Sequence, residues 1–454
     1  MIFTNVSFFL FFIIFVLLYS LVNQKLQKFI LLFGNLFFCY FTGWQSFTVA
    51  IGVICLTYFF AFFKKKLIFA GVILNIIILI FFKYFSSFYP VGISFYVFTS
   101  IAYLVDVYLE RINAEKNIFN FLNFILFFPK FISGPVERAD YLLPQLSKAN
   151  KYNISFQNIQ LGFQLFLFGF FKKVCIANRL QIYVDKVFDN LGSFGGLSLI
   201  IATIFYSIQI YCDFSGYTDM ALGIAKVFGV NLTQNFKNPY SAVSIGEFWH
   251  KWHISLSAWL RDYIYIPLGG NRKGNFRKNI NILITFLVSG LWHGNTLNFC
   301  IWGGVHALVQ IFENIFKKSL SSVNSKIRNI FTIILIAFAW IFFRLNTLSD
   351  IPLFFTNLVS PKFFSIESFK IALSGINFST YNNMTPSFLL NVNVFISLFI
   401  LLFISRIEVK SGLHISNIII QKKTSMKYLY DYLLMIMIFV TGLFDSTRFI
   451  YAAF

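Results

Sequence analysis

Residues 29–63 read FILLFGNLFFCYFTGWQSFTVAIGVICLTYFFAFF, thirty-five positions without one Asp, Glu, Lys or Arg. A bilayer core takes about 20 mainly apolar residues per helix. The run therefore predicts two spanning helices joined by the uncharged turn Thr42–Gln45. Ser7–Val22, Leu67–Phe82 and Pro90–Leu104 are also free of charge. Across the whole chain 58% of residues are hydrophobic and only 12% charged, against about 45–50% and about 25% in soluble domains. This balance excludes a cytosolic globular enzyme. The apolar runs are continuous rather than alternating, which argues against a β-barrel. The expectation is an all-α polytopic membrane protein of about 11–13 helices, with Met1–Val22 as a first span rather than a cleaved signal. Further spans are expected near Leu389–Ile404 and Tyr428–Leu443.

Lys and Arg outnumber Asp and Glu by 37 to 17. The excess sits where the positive-inside rule puts it rather than where a nucleic acid would need it. Lys25 and Lys28 follow the first span, Lys64–Lys66 the third, and Arg111 and Lys116 the fifth. These junctions read as cytoplasmic and the N-terminus as external. The long connection Asn346–Ser387 reads as external. Lacking an internal repeat, the chain reads as one membrane domain, 1–454. Its N-terminal spans are 1–120, its core is 121–320 and its C-terminal spans are 321–454. The five cysteines are scattered, without metal-ligand or disulfide spacing.

Two segments break the helical pattern. Phe128–Leu146 mixes apolar and charged residues with Pro129, Gly134, Pro135 and Pro144. Such backbone is tolerated at membrane depth only when buried in protein or lining a cavity. Lys237–Arg277 has no apolar run of spanning length and reads as cytoplasmic or re-entrant.

Chemistry concentrates around the histidines. His293 follows Ile280–Val288 and lies roughly 20 Å along a helix from the basic boundary at Arg277 and Lys278. An ionisable residue at that depth is costly, and function is one explanation for it. Gly290 and Gly294 beside it would admit a neighbouring helix or a substrate. A neutral imidazole there suits a general base for a hydroxyl attacking a thioester. The structural alternative is a histidine bonded to an adjacent helix. His250 and His253, three apart, would share a helix face. They lack the Glu of a metalloprotease motif, and no metal site is expected. Pro267–Asn275, containing Arg272 and Lys273, is glycine-rich and basic; it suits either phosphate contacts or a solvated loop. Asp106, Asp213 and Asp219, at apolar depth, read as caps or as partners of buried Lys or Arg.

Several stretches together resemble the membrane-bound O-acyltransferase family, in its bacterial branch that acetylates envelope polysaccharides such as peptidoglycan and alginate. They are Pro90–Tyr108 (PVGISFYVFTSIAYLVDVY), Phe127–Pro135 (FFPKFISGP), Gly169–Arg179 (GFFKKVCIANR) and Tyr211–Gly223 (YCDFSGYTDMALG), followed by Glu247–Arg272 (EFWHKWHISLSAWLRDYIYIPLGGNR), Ser289–Gly294 (SGLWHG) and Trp302–His306 (WGGVH). The resemblance implies a helical bundle with a tunnel, in a bacterial inner membrane. It implies that His293 and His253 are catalytic and that Trp249, Trp252, Trp292, Asn295 and Ser255 shape the substrate site. Arg261, Arg272 and Lys273 would meet the phosphates of acetyl-coenzyme A, a donor substrate rather than a resident cofactor. A periplasmic acetyltransferase partner and a polysaccharide acceptor are also implied, with peptidoglycan favoured and alginate or another exopolysaccharide as the alternative. Alginate-type members usually carry Arg where this chain has His250, and they end differently from Phe449–Phe454. A transporter or flippase without chemistry, or a scaffold that only recruits a transferase, is the rival reading. Transporters commonly show repeat symmetry, which this sequence lacks.

Overall fold

The computed structural model describes residues 3–147, 154–361, 366, 368, 370 and 387–444. The tail Phe449–Phe454 and most of the connection after Lys362 lie outside them. Among the described residues there are helices, turns and loops but no strand. Five helical stretches there are long and apolar enough to cross a membrane: Lys65–Phe85, Phe156–Phe188, Leu197–Val227, Ser325–Arg344 and Asn391–Ser411. Shorter apolar helices include Val6–Leu21, Trp44–Phe60 and Ile93–Tyr108. The protein is a multi-pass all-α membrane protein. The run that opened the sequence analysis divides into helices Gln24–Tyr40 and Trp44–Phe60, with the break at the uncharged turn. The two expected C-terminal spans fall on helices Ser387–Ser411 and Thr424–Thr441, of which only the first contains a stretch long and apolar enough to cross a membrane.

The chain folds into two compact units, each of which takes in separate stretches of sequence. The first contains the chain up to Phe166 and the stretch Tyr217–Gln234. Within it, the Pro/Gly-broken segment is buried, and its backbone is met by side chains. Asn35 donates to Asn123 Oδ1 at 2.9 Å and accepts from the Phe128 amide at 2.9 Å. Asn123 in turn donates to the Lys28 carbonyl at 3.1 Å. Asn35, held in place by Asn123, thus supplies the Phe128 amide with a partner where the backbone leaves the helix. Asp106 pairs with Arg111 at 2.9 Å, as its sequence position suggested.

The second unit contains Leu167–Gly216 and the chain from Asn235 onward. Here Asp213 forms a buried ion pair with Lys173, the other pairing foreseen for an intramembrane acid. Arg179 donates to the carbonyls of Thr441 and Gly442 at 2.7 and 3.2 Å. It thereby closes the C-terminal end of helix Thr424–Thr441, whose last carbonyls have no helical partner. The Lys237–Arg277 segment consists of short helices and turns, with no span.

Four helices of this unit carry the site: α1 (Ile245–Lys251), α2 (Ile254–Leu260), α3 (Gly274–His293) and α4 (Leu297–Ile315). Helices α3 and α4 pack backbone to backbone. A Cβ on Gly290 would lie 2.3 Å from the Phe299 carbonyl oxygen, and one on Gly303 would lie 2.3 Å from that of Phe286. Lipid offers apolar side chains as good a medium as protein does, so close contact between small residues drives helix association in a bilayer. Gly304, one position on, meets nothing within 4 Å. Gly303→Val is therefore expected to destabilise the detergent-solubilised protein by roughly 2 kcal/mol or more, with Gly304→Ala close to wild type. Thermal unfolding of the two variants side by side checks this.

Candidate functional site

His293 is the last residue of α3, as far from the basic end of that helix as the helix allows. It is 1% exposed. Its ring is ringed by aromatic neighbours: Trp292 at 4.8 Å, Trp302 at 4.9 Å and Phe343 at 5.2 Å between centroids. Helix α3 stops there because Gly294 turns to extended backbone. A Cβ on Gly294 would overlap the Phe299 ring at 2.0 Å. Close approach of a second helix, rather than of a substrate, is what the flanking glycines serve in this structure.

His253 sits between α1 and α2 with φ 42° and ψ 54°, the left-handed region. Such backbone costs a non-glycine residue of order 1–3 kcal/mol and persists only where the surroundings dictate it. Asn235 dictates it here: its carbonyl accepts from the Ile254 amide at 3.0 Å and its side chain from the Ser255 amide at 3.1 Å. His253 consequently leaves the helix that carries His250. The shared face expected from their spacing does not exist, because α1 ends at Lys251. His253 is fully buried, with Phe214 at 4.7 Å and Trp292 at 6.2 Å. Burial pushes its imidazole down to about 3, so it is neutral at pH 7. Trp292 thus touches both histidines.

A cavity of about 310 Å³ is lined by neighbours of this cluster in sequence, Ile254 and Ser289 among them, but His253, His293 and Trp292 are not themselves part of its wall. Trp249, His250, Arg261, Lys278 and Ser289 contribute to its wall. Ser289 is four residues before His293 on α3, and so on the same helix face. The volume is at the lower end of ligand pockets, which run from about 300 to 1,000 Å³. Its basic groups are Arg261, held by Asp262 at 2.7 Å, and Lys278, which donates to Asn314 Oδ1 at 3.2 Å.

Not every expected residue reaches the cavity. Trp252 is 1% exposed and packs in the core against Phe236, Phe248 and Trp340. Ser255 is buried, with its amide on Asn235. Asn295 is exposed, and so are Arg272 and Lys273 on the turn before α3. None of these five is part of the wall. Three residues that sequence reasoning did not place in the site belong near it. Lys278 lines the cavity, and its position in the first turns of α3 was the available signal. Asn235 fixes the turn at His253. His306 is 1% exposed; it accepts from the Trp249 indole at 3.4 Å and lies 5.1 Å from Trp302.

The sequence profile of the membrane-bound O-acyltransferase family matches residues 110–349. The chain belongs to the membrane-bound O-acyltransferase family. It is 40% identical over 260 residues to a probable alginate O-acetylase of Pseudomonas putida, covering 57% of this chain and 53% of that protein. A probable alginate O-acetylase of Pseudomonas syringae is 35% identical over 386 residues, covering 76% and 72%. The peptidoglycan O-acetyltransferase of Helicobacter pylori is 32% identical over 383 residues, covering 72% and 73%. The alignment with the Pseudomonas putida protein thus spans about half of that relative's length.

The left-handed turn separates backbone demand from side-chain chemistry. Asn tolerates this conformation and a β-branched residue does not. His253→Asn is expected to stay within about 1 kcal/mol of the stability of His253→Ala, and His253→Val to fall at least a further 1 kcal/mol or so below both. Denaturation midpoints of the three proteins in one detergent decide the matter.

Proposed function

We propose that this chain is a membrane O-acetyltransferase. It takes acetyl from acetyl-coenzyme A at the cytosolic side of a bacterial inner membrane. The acetyl then crosses the membrane to a periplasmic partner that O-acetylates an envelope polysaccharide. The observation that carries this reading is the pairing of a buried imidazole with a basic cavity on one helix. His293 ends α3, while Lys278 near its start and Ser289 one turn before His293 line the cavity.

In this reading the pantetheine thioester enters past Arg261 and Lys278, whose charges meet the coenzyme phosphates. Arg272 and Lys273, exposed on the turn before α3, add to the field at the mouth rather than to the wall. The imidazole of His293 takes the proton of an attacking hydroxyl as its oxygen bonds to the thioester carbonyl carbon. The C–S bond then breaks, and the proton passes to the leaving thiolate. His293 can instead receive the acetyl itself and relay it. His253, neutral, donates an N–H to the carbonyl oxygen as negative charge develops there. Trp292, in contact with both rings, keeps the two imidazoles in register. Trp249 forms part of the wall.

Peptidoglycan is the acceptor we favour. His250 on the cavity wall stands where alginate-type members carry Arg, a difference that favours a partner and acceptor other than the alginate ones. Alginate or another exopolysaccharide is the second reading, supported by the names of the relatives at 35–40% identity.

The test is radiolabelled acetyl transfer from acetyl-coenzyme A by purified protein in lipid, with peptidoglycan or alginate and periplasmic extract supplied. His293→Ala is expected to lose activity by about 100-fold or more while still folding, with some loss of unfolding temperature from the cavity it leaves. Equal activity in both proteins removes His293 from the mechanism. No activity in either points to a transporter, a scaffold or a different acyl donor. Lys278→Gln and Arg261→Gln are expected to raise KM for the donor several-fold with kcat nearly constant, the signature of lost ground-state binding. A fall in kcat alone contradicts the phosphate role.

A further inference from the structure

A second cavity of about 430 Å³ lies on the other side of a wall it shares with the first, formed by Gly246, Gln310 and Asn314. Two helices bound most of it: α4 and α5 (Ser325–Arg344). Its character differs from that of the first cavity. Phe312, Leu320, Val323 and Phe331 give it an apolar side, with Phe312 54% and Phe331 62% exposed. The same helices also present Leu308, Ile315, Ile327 and Ile330 outward, the surface expected against lipid chains. Lys317, Arg328 and the carboxylate Glu313 all line it. Neither Lys317 nor Arg328 forms a hydrogen bond or ion pair through its side chain with a described residue. Glu247 and Glu313, the carboxylates that feel the charge of Arg328, are engaged elsewhere. Glu247 pairs with Lys251 at 2.7 Å, and Glu313 accepts from the amide of Ile245 at 2.9 and 3.0 Å. The linker from α4 to α5 adds Lys318 and Lys326, and no acid occurs between Glu313 and Asp350.

We propose that this cavity is a binding site for one anionic glycerophospholipid, its phosphate between Lys317 and Arg328 and an acyl chain along Phe312, Val323 and Phe331. The charge is complementary, and the apolar side demands a chain rather than a soluble anion. Each basic group near a membrane surface adds about tenfold or less to anionic-lipid affinity. A bound lipid would press on Gln310 and Asn314. Asn314 accepts from Lys278, so the headgroup and the donor-side cavity have one wall in common. The inference does not depend on acyl transfer, because its readout is binding.

The experiment is native mass spectrometry of the full chain in detergent, titrated with phosphatidylglycerol or phosphatidylcholine of identical chains. The expected result is one phosphatidylglycerol retained with about tenfold preference over phosphatidylcholine. Lys317→Gln/Arg328→Gln is expected to bring that preference below about threefold. Lys422→Gln/Lys423→Gln, on exposed positions elsewhere, is expected to keep it. Phe331→Asn is expected to weaken both lipids alike. All variants are first matched for unfolding temperature. No headgroup preference in the native chain overturns the proposal, and so does a preference that survives in the first double variant. Displacement of phosphatidylglycerol by millimolar inorganic phosphate also overturns it, since it would make this a soluble-anion site.

Discussion

The close approach of α3 and α4 is the constraint on which the rest of the site depends. Gly290 and Gly303 remove the side chains that would hold the two helices apart. That contact brings Trp302, on α4, against His293, at the end of α3. It also brings His306, one turn further along α4, next to Trp249 on α1. A wider crossing would leave His293 without this aromatic enclosure. In a bilayer no hydrophobic force between helices would restore the contact. The glycines therefore shape the surroundings of His293 through geometry.

The second requirement is an irregular backbone next to the long helices. The segment from Asn235 to Lys273 contains only short helices, none long enough to cross a membrane, joined by irregular turns. Asn235 fills the gap with two bonds across the turn at His253. The same logic appears in the other unit, where Asn35, itself held by Asn123, accepts from the Phe128 amide. At these two places a buried asparagine meets a backbone amide where a helix ends or has not begun. A backbone amide without a partner costs several kcal/mol at this depth, so these asparagines are structural requirements.

Much of this was legible in the sequence because it follows from local composition. Helix Gln24–Tyr40 and helix Trp44–Phe60 follow from an uncharged run and a turn. The depth of His293 follows from counting residues after Arg277. That Asp106 and Asp213 are capped or paired follows from the cost of an intramembrane acid, whereas their partners, Arg111 and Lys173, are given by the fold. What could not be read locally was the direction of the chain at His253. A spacing of three predicts a shared helix face only if the helix continues, and it ends at Lys251, after which Asn235, sixteen residues back, takes the amides of Ile254 and Ser255. The same turn sorts two tryptophans three residues apart. Trp249 reaches the cavity, whereas Trp252 faces Phe236 and Trp340 in the core. Arg272 and Lys273 looked as suitable for phosphate as Lys278 did. Only the packing of α3 against α1 and α2 separates a cavity lysine from two exposed cations.

The enclosure of the imidazoles also bears on their chemistry. A histidine in water titrates near neutrality and is partly charged at cellular pH. Enclosure by Trp292, Phe214 and the neighbouring core removes the water that would stabilise the charged form of His253. A neutral imidazole can donate from one nitrogen and accept at the other, whereas a charged one can only donate. The aromatic shell thus selects the form that is able to handle a proton. Packing contributes to the orientation of both rings. For His293 that means the ring contacts with Trp292, Trp302 and Phe343, and through Trp302 it returns to the glycine-lined crossing of α3 and α4.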